Sequence, residues 1–273
     1  MKTNYPGPPP ACAYRVVAGL AALLILAAAA VPPIQQPADY NIWADQRQFL
    51  GIPHIGDVLT NLAFLWVGIV GLRALWEGQC QCAIRGERLA WLLFFTGIIL
   101  TGFGSAYYHW EPNNFRLVWD RVPMALAFMA LFSAVLIERI NHTLGLRLLP
   151  VLIALAWASV GYWYWTYLQG QDNLAPYLLV QLGPMILIPI ILLLFPARYD
   201  RGGDYVIALA IYLSAVAAEH LDEPIFQLTG QFISGHNLKH LLAAFAAYWL
   251  MRMLQKRKPI ESESPMPESV ATS

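Results

Sequence analysis

Long apolar segments separated by short polar stretches are the feature of this sequence that most restricts its fold. A helix needs about 20 apolar residues to cross the roughly 30 Å hydrocarbon core of a bilayer, and eight segments approach that length. They cover residues 13–31, 57–76, 89–108, 121–138, 148–168, 175–195, 204–221 and 237–254. Charged residues make up only 12% of the chain, about half of what soluble globular domains contain. The sequence therefore predicts an all-α integral membrane protein.

The distribution of basic residues predicts how these segments are oriented. Cytoplasmic loops of membrane proteins are enriched in Lys and Arg. If the N-terminus is inside, 13 of the 17 basic residues fall in inside regions, and those outside are Arg47, Arg116, Arg121 and Lys239. We therefore predict that both termini are cytoplasmic. The formal net charge of zero leaves no basic face for a nucleic-acid partner.

The first apolar segment admits two interpretations. Lys2, Arg15, an apolar run and an alanine-rich stretch at 27–30 fit an uncleaved membrane anchor, which we favour, and they also fit a signal peptide. Either one leaves the same core. We predict an N-terminal segment at 1–36 and a seven-transmembrane-helix bundle at 37–256. A cytoplasmic tail at 257–273, rich in Ser, Glu and Pro, is predicted to be disordered.

Four ionisable residues near the ends of these segments predict a functional site. Such residues cost about 3 kcal/mol each inside a membrane span, so their presence points to function. His236 and His240 open the last segment four residues apart, on one face of a helix, where two imidazoles can bind one metal ion. His109 closes the third segment and Asp120 opens the fourth. In the predicted topology all four lie at one depth on the outer side.

This set of side chains suits hydrolysis of a lipid amide or ester. Three imidazoles on zinc leave a fourth position for water, and bound zinc lowers the pKa of that water towards ~7. Asp120 is suited to accept a proton from the water. Ser105, one helical turn before His109, could donate a hydrogen bond to a carbonyl oxygen under attack. The alternatives are an ion pair between Asp120 and the adjacent Arg121, and a packing role for Ser105.

Three motifs resemble those of the alkaline ceramidases, membrane hydrolases of a superfamily that also contains the adiponectin receptors. Residues 104–113 read GSAYYHWEPN, residues 119–124 read WDRVPM and residues 235–240 read GHNLKH. Residues 57–62, DVLTNL, are similar to the Asn-x-x-Ser-Asn sequence that opens the family's first core helix. The resemblance covers about residues 40–255 and implies a seven-helix bundle, to which the first segment is an addition.

The resemblance implies that His109, His236 and His240 bind zinc and that Asp120 and Ser105 are catalytic. It implies hydrolysis of ceramide, or a similar N-acyl lipid taken from the bilayer, to a sphingoid base and a fatty acid. A lipid esterase or phospholipase with the same metal site is an alternative, and so is a non-enzymatic receptor with structural zinc. No protein partner can be inferred. The alanine-rich first segment favours a bacterial inner-membrane protein with its site on the periplasmic side.

The chain departs from the animal members in the region where they bind calcium. Those proteins resemble one another in an acidic stretch before the first core helix, whereas residues 43–47 here read WADQR, and His54 stands where a glutamate is expected. Asp45 alone remains as a candidate ligand, which weakens the expectation of calcium. Glu219 and Asp222, at the outer end of the seventh segment, are candidates for calcium binding or for orienting a metal-bound imidazole.

Overall fold

The computed structural model describes residues 9–260, and α-helices are the regular elements of that part of the chain. Helix α1 covers Ala11–Ala30, and the short α2 (Ile55–Thr60) leads directly into α3 (Leu62–Trp76). The remaining helices are α4 (Glu87–Trp110), α5 (Asn114–Val135), α6 (His142–Leu168), α7 (Ala175–Leu194), α8 (Gly203–His220), α9 (Asp222–Leu228) and α10 (Gly235–Lys256). The prediction of an all-α fold is confirmed.

Within residues 9–260, six helical segments are long and apolar enough to cross a membrane. They are α1, α2 with α3, α4, α5 with the π-helical turn that ends it at Ile140, α6 and α7. Helix α8 is long and apolar enough only when it is taken together with α9, from which it is bent by 82°. Helix α10 is too polar to qualify, because its first two turns carry His236, Asn237, Lys239 and His240. The structure thus indicates a multi-pass membrane protein, while the count of seven core spans plus one stays a prediction.

The linker between α1 and α2 crosses the end of the bundle at which α4 and α8 end and α5 and α10 begin. We call this the site end. Asn114 at the start of α5 accepts a hydrogen bond from Gln36, and Tyr108 near the end of α4 donates one to Asn41. The amide of Ala44 donates to the Asp222 carboxylate at 2.8 Å. Helix α1 itself packs mainly along α7, with only 11% of its length buried.

A buried ionic cluster joins the helices at the opposite end of the bundle. Arg257, directly after α10, pairs with Glu87 at the start of α4 and, at 3.0 Å, with Glu138 in the π-helical turn after α5. Tyr199 and Tyr205 donate hydrogen bonds to these two carboxylates. Buried charges are tolerated only when they are paired in this way. The tail predicted from residue 257 therefore begins with a packed segment, and residues 261–273 lie outside the described part of the chain.

Candidate metal centre

The three predicted metal ligands come together at the site end of the bundle. His109 lies in the last turn of α4, His236 is the second residue of α10 and His240 follows one turn later. Their exposed fractions are 0%, 1% and 3%. The ring centroids are 4.7, 5.1 and 4.6 Å apart, and one ligand nitrogen from each ring lies within 4.8 Å of the others. The predicted convergence of these histidines is confirmed.

The nitrogens of this cluster fit a bound metal ion. Nε2 of His109 and Nε2 of His236 are 3.0 Å apart, and two imidazole nitrogens at this distance need a proton or another cation between them. Three imidazoles are also a ligand set of catalytic zinc sites. The residues present therefore fit the predicted zinc ion, and the identity of the metal stays a prediction.

Helix α10 is held in place by several contacts at its first turn. The Ser234 side chain accepts from the Asn237 amide, and the Asn237 side chain accepts from the Ser234 amide, which forms a capping box. The backbone amide of His236 donates to Asp222 at 2.7 Å. A Cβ at Gly235 would lie 2.1 Å from the Ala218 carbonyl oxygen. Glycine therefore allows the close approach of α10 to α8 that places His236 and His240 opposite His109.

The catalytic pair predicted from sequence, Ser105 and Asp120, lies where α4 and α5 are in closest contact. A Cβ at Gly104 would be 2.0 Å from the carbonyl oxygen of Trp119, so the absence of a side chain there permits the contact. The same Cβ would lie 3.4 Å from the Cα of Asp120, so this contact brings Asp120 next to the turn of α4 that carries Ser105. The structure thus brings Asp120 and Ser105 to the site end, and their catalytic roles stay a prediction.

Arg121 does not form the ion pair with Asp120 that the sequence left open. Its guanidinium carbon lies 4.1 Å from the ring centroid of Trp163, 4.9 Å from that of Tyr177 and 5.3 Å from that of Tyr40. Its Nη2 donates to the Gln36 side chain at 2.7 Å. Aromatic faces stabilise a buried guanidinium by cation–π attraction. Arg121 therefore connects the linker to the helix bundle and does not form an ion pair with Asp120.

The two acidic residues proposed to support the metal site have different surroundings. Asp222 accepts from the backbone amides of His236 and Ala44, so it fixes the chain on either side of the cluster. Glu219 accepts from Lys239 at 2.6 Å, and its Oε1 lies 3.6 Å from Nδ1 of His236. Of these two residues, Glu219 is therefore the one that faces an imidazole ring directly.

Asp45 does not fit a calcium site. Its side chain is fully buried, and its two oxygens accept from Nε of Arg47 at 2.7 Å and from Nη2 at 2.6 Å. The remaining nitrogen of the guanidinium, Nη1, donates to the Gln231 carbonyl at 2.7 Å. The hydrogen bond with Asp45 raises the pKa of Arg47 above its usual value. The Arg47 guanidinium therefore already pairs with both oxygens of the carboxylate that a calcium ion would need.

We expect added calcium to leave the melting temperature of the purified protein unchanged. Replacing Arg47 by alanine should lower the free energy of unfolding by about 1–3 kcal/mol, because the buried Asp45 carboxylate loses its partner. Arg73→Ala is the control, because Arg73 forms an exposed ion pair with Glu77, and exposed pairs contribute little. Thermal unfolding of the wild type and both variants checks this expectation. A calcium-dependent rise in the wild-type melting temperature would contradict it.

Other site-end residues contact the histidines although the sequence assigned them no role. Asp57, in the first turn of α2, is fully buried and accepts from the Asn237 side chain at 2.5 Å. Thr60 lies 2.8 Å from Nδ1 of His240, and the indole of Trp43 packs on the His236 ring with centroids 3.7 Å apart. A carboxylate in the first turn of a membrane helix was the available signal for Asp57. Trp43 had no comparable signal, because a linker has no periodic pattern.

The remaining histidines do not join the cluster. Nδ1 of His54 lies 3.2 Å from the backbone carbonyl oxygen of Asp45, and Nδ1 of His220 lies 2.8 Å from that of Val216, one turn back in the same helix. His142 is exposed at the opposite end of the bundle.

Comparisons of this chain with models of protein families and with curated proteins find no match.

Proposed function

We propose that this protein is a zinc-dependent membrane amidase that hydrolyses the N-acyl bond of ceramide or a similar N-acyl lipid. The observation that carries the proposal is the buried cluster of His109, His236 and His240 in a multi-helix membrane protein. The motifs around these residues, with their resemblance to the alkaline ceramidases, favour an amide over an ester substrate. In this proposal the protein lies in a bacterial inner membrane with both termini cytoplasmic and the site facing the periplasm.

The three histidines would hold the zinc ion through their ring nitrogens. Zinc held by three imidazoles would lower the pKa of a water molecule, so that this water can act as a nucleophile near neutral pH. Trp43, itself buried, packs against the His236 ring. The apolar helices around the site would deliver a lipid substrate sideways from the bilayer.

Asp120 would move the proton that hydrolysis requires. Its carboxylate accepts a proton from the attacking water and returns it to the amide nitrogen, which leaves as an amine while the acyl group becomes a fatty acid. Because Arg121 is held by aromatic rings rather than by Asp120, no adjacent guanidinium competes for this carboxylate. Ser105 would donate a hydrogen bond to the carbonyl oxygen as negative charge develops there.

Fatty-acid release from a panel of detergent-solubilised lipids tests the proposed activity. The panel contains ceramide, phytoceramide, an N-acyl amino lipid and a phospholipid, each incubated with the purified protein with and without a zinc chelator. We expect chelator-sensitive release from the ceramides. Release from the phospholipid alone would replace the amidase by a phospholipase. No release from any lipid by a protein that contains zinc would contradict enzymatic function and support a receptor.

A further inference from the structure

We infer that Asp57, Thr60 and Glu219 form an outer set of hydrogen-bond acceptors that holds the three histidines with Nδ1–H pointing outward. Each acceptor faces the Nδ1 atom of a different ring. This arrangement leaves the Nε2 lone pairs directed inward for the metal. The inference rests on the metal centre of the proposed function and is independent of the identity of the substrate.

The contacts of Thr60 determine which nitrogen of His240 carries the proton. The Thr60 hydroxyl oxygen is 2.8 Å from the Gly56 carbonyl oxygen, 3.2 Å from that of Asp57 and 2.8 Å from Nδ1 of His240. A hydroxyl group has one proton, and a carbonyl oxygen can only accept. All of these contacts are satisfied when the hydroxyl proton goes to a carbonyl and Nδ1 of His240 donates to the hydroxyl oxygen. In the neutral ring, this leaves the lone pair on Nε2.

Asp57 and His109 present two buried polar atoms to each other. Oδ1 of Asp57 accepts from Asn237, whereas Oδ2 has no other hydrogen-bond partner among the described residues and lies 3.9 Å from Nδ1 of His109. That Nδ1 also has no partner in the described part of the chain. An ionised carboxylate can only accept, so a hydrogen bond from His109 to the ionised Asp57 requires Nδ1 to carry the proton. A hydrogen bond between these two atoms would satisfy both.

Glu219 faces the third ring. Its Oε1 lies 3.6 Å from Nδ1 of His236 and accepts from Lys239 at 2.6 Å. One carboxylate oxygen has two lone pairs and can accept from both groups. Lys239 thus holds Glu219 beside the ring, and the contact from the His236 amide to Asp222 holds the backbone. With Nδ1 directed outward, Nε2 of His236 faces Nε2 of His109 at 3.0 Å.

These acceptors are therefore positioning residues, whose contribution is to metal affinity. Hydrogen-bond partners of metal-bound histidines typically change that affinity by about 10–100-fold. Asp57 should have the largest effect, because it is fully buried and directed at a ring from another helix. Asn237 links it to α10, so Asp57 also connects the two helices that supply the ligands.

Zinc affinity, measured by competition with a chromophoric chelator on the purified protein, tests this inference without any substrate. We expect Asp57→Asn and Thr60→Val to weaken zinc binding by about 10–100-fold, and Glu219→Gln to weaken it less, because Glu219 is partly exposed. Thr60→Ser keeps the hydroxyl group and should retain affinity close to wild type. Asp200→Asn, an exposed carboxylate at the opposite end, is the matched control. Melting curves of the zinc-free proteins establish that each variant is folded.

Unchanged zinc affinity in folded Asp57→Asn and Thr60→Val would overturn the inference and leave the proposed amidase intact. Equal losses in Thr60→Val and Thr60→Ser would also overturn it, because packing rather than the hydroxyl would then be responsible. If Asp57→Asn does not fold, the comparison of the two Thr60 variants decides. Weakened zinc binding in a protein that hydrolyses none of the lipids would support the inference while contradicting the proposed function.

Discussion

Replacing Asp120 by asparagine is expected to slow lipid hydrolysis by about 10²- to 10⁴-fold, the range for loss of a general acid–base group. Asparagine has nearly the same shape, but it cannot take a proton from water and return it to the leaving nitrogen. Asp120 is not one of the three clustered histidine ligands, so zinc content and melting temperature should stay at wild-type values. Initial rates of fatty-acid release at saturating lipid, with elemental analysis of the same samples, check this result.

The matched control for this variant is Asp200→Asn. Asp200 is exposed at the opposite end of the bundle, where it accepts from the Lys258 amide, and its replacement should leave the rate unchanged. Normal turnover in Asp120→Asn would contradict the mechanism proposed here. A variant that loses zinc together with activity would instead make Asp120 a part of the metal site.

Replacing His236 by alanine is expected to remove both bound zinc and activity. The loss in zinc affinity should exceed the roughly 100-fold caused by losing a hydrogen-bond partner of a ligand, because the ligand itself is gone. Zinc at about 100 times its dissociation constant stabilises a folded protein by about 2.7 kcal/mol. The wild type should therefore melt at a higher temperature with zinc than without it, and the variant should not. Elemental analysis and melting curves with and without zinc measure both effects.

The control for the histidine variant is His142→Ala, which alters an exposed ring far from the cluster. Its zinc content and its zinc-dependent stabilisation should match those of the wild type. Unchanged zinc content in His236→Ala would remove this residue from the ligand set. Melting without zinc reports the packing defect that removal of a buried ring creates. The rise in melting temperature on adding zinc reports metal binding, so the two effects can be distinguished.

The helical fold and the shared face of His236 and His240 could be predicted because both follow from short-range patterns. Apolar segments of span length predict helices, and spacing of four residues places His236 and His240 on one face. His109 and Asp120 were found because ionisable residues are costly inside a membrane. His236 and His240 also help to explain the uncertain span count, since they lower the apolar character of α10.

The contacts that orient the site could not be predicted, because they join residues distant in sequence without a periodic pattern. The bond from Asn237 to Asp57 spans 180 positions, and that from Arg121 to Gln36 spans 85. Adjacent opposite charges suggested an ion pair of Asp120 with Arg121, yet three aromatic rings from other segments hold Arg121 instead. The partner of a buried charge is therefore determined by side-chain packing and cannot be inferred from its neighbour in the sequence.

The central claim is metal-dependent hydrolysis of an N-acyl lipid at the three-histidine cluster. The most direct test measures fatty-acid release from ceramide by protein stripped of metal, before and after zinc is added back. The account predicts no release by the stripped protein and recovery of the full rate with zinc, in the wild type but not in His236→Ala. Full activity of the stripped wild-type protein would contradict the account.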